Sequence, residues 1–266
     1  MLESNFTSYT VRSGHSELSE EDNIKLAMRN NMSQIGISEY SNLPGDQGEY
    51  RLKNMQELES YLESMRYLKI KYKYSVSVYC GLTVEIRDPF SLEINTNWIK
   101  FLYSQPIIDY LILAHNNYSD GSHVMYSRPK ERKILEQYVF DFKEALLENQ
   151  ILYVSTLDSI CLGYKEPSEE LEWAIREMFK IARETKTPLG INAHGFGEKE
   201  HNNFGYPNKW FWDIASEYNV QTVIELGGYN TGSYDLDLYN KTKTFADDCG
   251  LEVLETLIIK QKRRKM

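Results

Sequence analysis

Short apolar runs alternate with longer amphipathic segments along nearly the whole chain. The runs read as buried strands: "QIGIS" at 34–38, "YSVSVYCGLTVEI" at 74–86, "IIDYLILAH" at 107–115 and "ILYVST" at 151–156. "PLGINAH" at 188–194, "VQTVIELGG" at 220–228 and "LEVLETL" at 251–257 complete the set. Between them lie helical patterns. In "SELSEEDNIKLAMRNNM", Ser19 and Asp22 make a capping-box start, and Ile24, Ala27 and Met28 keep helical spacing. "NMQELESYLESMRYL" sets Met55, Leu58, Tyr61, Leu62, Met65 and Leu68 on one stripe. Further helices are predicted over 129–149, from Pro167–Ser168 through "PSEELEWAIREMFKIARET", and near 208–218 and 235–248.

Strands that alternate with helices, without hairpin signals, give a parallel sheet, and seven or so such units close most easily as a barrel. The expected fold class is therefore α/β, a distorted seven-stranded (β/α) TIM-like barrel in preference to an open doubly wound sheet. The two differ in whether the strand containing Thr7 meets the strand near Ile224. At 266 residues, with no linker or repeat, the chain reads as one domain.

Apolar residues at 41% and charged residues at 26% suffice for one sizeable core. The net charge of −9 and pI near 5.2 speak against a nucleic-acid or membrane-surface partner, which would need a positive field. Only the tail "KQKRRKM", 260–266, is strongly basic, and it reads as a solvated terminus or a short contact patch. Cys80, Cys161 and Cys249 are far apart and lack C-x-x-C spacing, as expected of reduced thiols in a cytoplasmic protein. Neither a signal peptide nor a membrane span is read.

In a barrel the chemistry sits at the C-terminal strand ends. Here these ends read "NFTSYT", "SGHS", "ISEYSNLP", "GLTVEI", "LILAHNNY", "YVSTLDSI", "GINAHGF" and "IELGGYNTG". In order and spacing this series resembles the PHP (polymerase and histidinol phosphatase) superfamily, and within it the histidinol-phosphate phosphatases, over roughly residues 5–257. The resemblance implies the PHP fold and, in members with the full motif set, a trinuclear zinc, manganese or iron centre that hydrolyses a phosphomonoester.

Position by position, the resemblance places the first ligand pair on Thr7 and Tyr9, the third ligand on His15, and the fourth on Tyr40 after Glu39. The glutamate of the G-x-E strand falls on Thr83, with Glu85 two residues on and on the same strand face. The next ligand falls on His115, and the following histidine on Thr156 with Asp158 behind it. The closing pair falls on Gly228 and Asn230. Only His15 and His115 keep a histidine.

Multinuclear hydrolytic sites need imidazole and carboxylate donors. Thr and Asn oxygens are weak donors, and a Tyr phenol must first lose a proton with a pKa of about 10. These replacements imply a barrel without the metal centre and without a cofactor, which binds a small polar ligand or a protein partner. The alternative is a metal-dependent phosphomonoester hydrolase with a rebuilt site, in which His15, His115, Glu39 and Asp158 are catalytic and His15, His115 and Glu85 hold the divalent ion. Arg12, Tyr9, Tyr40, Asn192, His194 and Asn230 are candidate substrate-binding residues, with Lys165 and Arg128 as further cations that could reach a phosphate. Each of the first group also has an ordinary reading. His115 can be a hydrogen-bonded histidine at a strand end and His15 a solvated loop residue, while Glu39 and Asp158 can cap helices. His123 and His201 read as surface residues in polar loops. Metal-free acid–base chemistry is a third possibility, but no Ser/His/Asp, Cys/His, P-loop or G-x-G-x-x-G pattern supports it.

Overall fold

The computed structural model describes residues 2–41, 51–86, 92–115, 132–148, 150–164, 166–196 and 206–259. Lys165, Arg128, His123, His201 and the basic tail lie outside these described residues.

One sheet runs through the chain in sequence order, with every neighbouring pair parallel. It comprises β1 (Ser4–Asn5), β2 (Gln34–Tyr40), β3 (Ser77–Val84), β4 (Tyr110–Ala114), β5 (Ile151–Ser155), β6 (Leu189–Asn192), β7 (Gln221–Glu225) and β8 (Glu252–Val253). The helices are α1 (Glu20–Arg29), α2 (Met55–Tyr72), α3 (Leu92–Ser104), α4 (Arg132–Glu148), α5 (Glu169–Thr185), α6 (Lys209–Ser216) and α7 (Leu236–Asp248). The fold is thus a curled α/β barrel of TIM type, with eight strands where seven or so were expected, the first and last only two residues long.

Beyond β1 the chain stays extended and bridges the seam. Ser8 O accepts from Ser38 N at 2.9 Å on one side, while Tyr9 N donates to Gly227 O at 3.0 Å on the other. Lower down, β8 fills the gap, with Leu254 N bonded to Thr222 O at 2.8 Å and Ser4 Oγ to Glu255 O at 3.0 Å. The segment containing Thr7 therefore does meet the strand containing Ile224, through its continuation and without a regular ladder.

Local sequence explains the elements. Ser19 caps α1 and forms the expected capping box with Asp22, which shields the first-turn amides. In α2, Leu58, Tyr61, Met65 and Leu68 are buried against the sheet, whereas Met55 is exposed. Tyr61 also anchors that helix, its hydroxyl lying 2.8 Å from both Ile37 O and Gly81 O. Helix α3 falls where no element was predicted. Among its described residues Asn95, Thr96, Ile99 and Leu102 are buried with helical spacing, but the polar Asn95 and Thr96 stand on the inward face and blur the pattern.

Most of the core lies between helices and sheet. A smaller cluster, Phe6, Tyr110, Ile112, Tyr153, Val223 and Leu257, fills the barrel interior. Tyr110 crosses the lumen so closely that a Cβ at Gly36 or Gly81 would come within 2.2 Å of its ring or hydroxyl. Those glycines are required by close approach. The three cysteines are buried and none is in a disulfide, and no helix among the described residues is long and apolar enough to cross a membrane.

Candidate functional site at the barrel mouth

Strand parity decides which side chains reach the mouth. Tyr110 and Ile112 point into the barrel, so Leu111, Leu113 and the following His115 point to the helix layer. In that layer His115 is 1% exposed, its Nε2 lies 2.9 Å from Tyr138 O, and its ring stacks on Tyr138 with centroids 3.9 Å apart. Burial in these apolar surroundings lowers its pKa to about 4, against the support of the Tyr138 carbonyl. The structure therefore separates His115 from His15, with which the resemblance had grouped it.

Three other expected site residues also lie away from the lumen. Glu39 points outward from β2 beneath the segment that follows β1, where Thr10 Oγ1 donates to it and burial raises its pKa to about 7. Asp158 is fully buried in the short 3-10 helix Leu157–Gly163. It accepts from Asn208 N at 2.8 Å and Trp212 Nε1 at 3.0 Å, and so fastens the start of α6. Burial raises its pKa to about 6. Arg12 is engaged by Glu20 and by Ser60, the latter at 3.0 Å.

At the mouth itself, Tyr9, His15, Tyr40, Tyr229 and His194 form one aromatic cluster. Tyr9 stacks on Tyr40 with centroids 5.3 Å apart and contacts His15 at 5.0 Å and Tyr229 at 5.6 Å. His15 also lies 4.9 Å from Tyr40, and His194 lies 4.4 Å from Tyr229. Desolvation, then the fields of neighbouring phenols and carboxyls, push the Tyr9 hydroxyl well above its ordinary range; Tyr40 is raised too, first by burial and then by Glu85. Both phenols therefore stay protonated at neutral pH.

Beneath this cluster lies a carboxyl that pattern reading did not single out. Glu225, at the end of β7, is 1% exposed and sits among hydroxyls: Ser155 Oγ at 3.0 Å, Thr156 Oγ1 at 3.4 Å and Thr7 Oγ1 at 3.4 Å. Thr7 also bonds the Tyr153 hydroxyl, and Asn192 Nδ2 donates to Thr156 Oγ1 at 3.3 Å. Burial outweighs these hydrogen bonds and raises Glu225 to about 7. Room for its side chain comes from Gly190, where a Cβ would lie 2.4 Å from the Glu225 carboxyl carbon. Thr156 has φ +48°, a left-handed conformation costly for a β-branched residue, which aims its hydroxyl into this group.

Glu85, just past β3, is neutralised by Arg51, with Nη1 3.0 Å from Oε2 and both side chains nearly buried. Arg51 was not foreseen either. The remaining candidates serve locally: Asn192 Oδ1 accepts from His194 N at 2.9 Å, and Asn230 caps a short helix through Gly232 N at 2.9 Å. Among the described residues, no three His, Cys, Asp or Glu side chains are grouped as metal ligands.

The sequence model of the PHP domain matches residues 7–194. No curated protein gives a significant sequence match. Among solved structures, the chain is similar to a histidinol phosphate phosphatase from Lactococcus lactis subsp. lactis complexed with zinc, L-histidinol and phosphate. The TM-score is 0.68 at 17% identity, covering 97% of this chain and 99% of that one. It is also similar to a Listeria monocytogenes protein described as a candidate histidinol phosphatase, with TM-score 0.69 at 14% identity over 90% and 99% of the two chains. At these identities the likeness establishes the fold.

Proposed function

The chain belongs to the PHP domain family, and from that premise we propose that it is a member without the trinuclear metal centre, acting by binding or interaction and not by phosphate hydrolysis. One observation carries this reading. His15, a histidine retained at a ligand position, is packed against Tyr9 and Tyr40, the phenols that stand where two of its co-ligands would be. Donor chemistry supports it further. The hydroxyls of Thr7, Ser155 and Thr156 are weak ligands for divalent ions. The buried phenols resist ionisation, Glu225 holds its proton up to about 7, and Glu85 is already matched by Arg51. The described donor set does not fit a cluster of closely spaced dications.

A second reading, hydrolysis of a small phosphomonoester at a rebuilt site, draws on the near full-length likeness to the zinc- and phosphate-bound Lactococcus enzyme. Elemental analysis of the untagged purified protein, followed by phosphatase assays with added manganese, zinc or iron, separates the two. The first reading expects no stoichiometric transition metal and no turnover. Tightly bound metal in whole-number ratio to the chain, with metal-dependent phosphate release, would establish the second.

A further inference from the structure

We propose that the outward face of α2 is a self-docking surface, on which a second copy of this chain lies antiparallel about a two-fold axis. The surface belongs to the helix layer and is independent of what the barrel mouth binds.

The inner stripe of α2, Leu58, Tyr61, Met65 and Leu68, is buried. Helical spacing therefore turns Glu59, Glu63, Arg66, Tyr67, Ile70 and Tyr74 outward, and all six are exposed. Three of them are large and strongly so, with Tyr67 at 61%, Ile70 at 65% and Tyr74 at 90%. They sit together over the last turns of the helix and the residues just beyond it. There Lys71 Nζ lies 5.5 Å from the Tyr67 ring centre and Lys73 Nζ 4.4 Å from that of Tyr74. An apolar group rimmed by charge in this way marks a contact surface.

The charges identify its occupant. Other helices neutralise charges along their own length: Lys25 with Glu21 on α1, Arg132 with Glu136 on α4, Arg176 with Glu172 on α5, and Lys209 with Asp213 on α6. On α2, by contrast, Glu59, Glu63 and Arg66 have no ion-pair or hydrogen-bond partner among the described residues, and Lys73 meets the Tyr74 ring. Their order is informative, with acids on the first half of the stripe and bases with the apolar group on the second. Such a stripe complements itself when reversed. With the axis level with the midpoint between Glu63 and Arg66, each Glu63 faces Arg66 of the other copy. Glu59 then comes over the second copy's Ile70, close to Lys73, and the exposed Met55 reaches Tyr74. A parallel pairing would instead set like charges on each other. The 18 residues of α2 give a contact about 27 Å long and one helix wide, so the dimer is weak and concentration-dependent.

The test is sedimentation velocity of the full chain over about 10–500 µM, at low and high salt. Wild type should move from monomer towards dimer as concentration rises, and less so in high salt. Glu63→Arg and Arg66→Glu each place like charges across the axis and should weaken self-association at least about ten-fold. An equimolar mixture of these two variants restores both pairs and should associate at wild-type strength. Ile70→Asp leaves those pairs in place but should abolish association by charging the apolar group. All three positions are exposed, and melting curves that match wild type will show the fold intact. A wild type that stays monomeric throughout overturns the proposal. So does a dimer that neither reversal weakens, or a pair of variants that stay apart when mixed. If a charge-reversal variant does not fold, Ile70→Asp decides alone, and its dimerisation at wild-type strength overturns the proposal.

Discussion

His115 and Tyr138 hold each other across the junction of β4 and α4. The imidazole Nε2 meets the Tyr138 carbonyl, the Tyr138 hydroxyl donates back to the His115 carbonyl, and the two rings stack. This reciprocal arrangement fixes the end of a barrel strand against its covering helix. It gives the histidine a task in the helix layer, on the side of the strand facing away from the mouth.

Replacing His115 by Ala should therefore act on stability. Loss of the stacked ring and of a buried hydrogen bond is expected to cost about 2–4 kcal/mol in urea denaturation. Mn2+ titration of the folded variant should match wild type. A variant of unchanged stability would contradict the packing role.

The buried acids predict the direction of pH dependence. Folding raises Glu225 from 4.5 to about 7, Glu39 from 4.5 to about 7 and Asp158 from 3.8 to about 6. The folded state thus binds more protons than the unfolded one, so stability is lost as pH rises from about 4.5 to 7. His115, lowered from 6.5 to about 4, acts oppositely and removes stability as pH falls through that interval. Three groups against one leave the melting midpoint higher at pH 5.5 than at pH 8. Glu225→Gln, which cannot ionise, should flatten that slope, as differential scanning fluorimetry across the range would reveal.

Close approach to the Tyr110 ring gives a steric prediction. Gly81→Ala places a methyl 2.2 Å from the ring carbon bearing the hydroxyl, and should destabilise the fold by at least about 1–3 kcal/mol. Adding Tyr110→Leu should recover part of that loss. Equal stability of the single and double variants would argue against the contact.

Chelation offers a direct check on the proposed metal-free mouth. Prolonged treatment with EDTA should leave the melting midpoint of the wild-type protein unchanged, since no folding energy is drawn from a bound ion. A drop after chelation, reversed by a transition metal, would tell against it.

Much of this architecture was legible because its signals are local. The Ser19–Asp22 box and the apolar runs at 34–38 and 151–156 depend on neighbours within a few residues. Helix α3 was hidden by the inward Asn95. The orientation of His115 was hidden for another reason: in "YLILA" every side chain is buried, so a parallel strand covered on both faces carries no alternation from which to read parity. Glu225 could have been found by counting in twos from Val223 along β7. Arg51 could not, because its partner lies 34 residues away with no periodic relation to it.

The seam between the first and seventh strands has a consequence for how the molecule is made. Tyr9 is sealed by Gly227, and Ser4 by Glu255. A nascent chain emerging from the ribosome can stack its successive β–α units early, yet its first strand cannot be shut against the far side of the barrel until the segments around Gly227 and Glu255 have emerged. Until then the inner row of Phe6, Tyr110 and Tyr153 stands open to solvent along one edge, so the interval before the seam closes is when this fold is most exposed to aggregation.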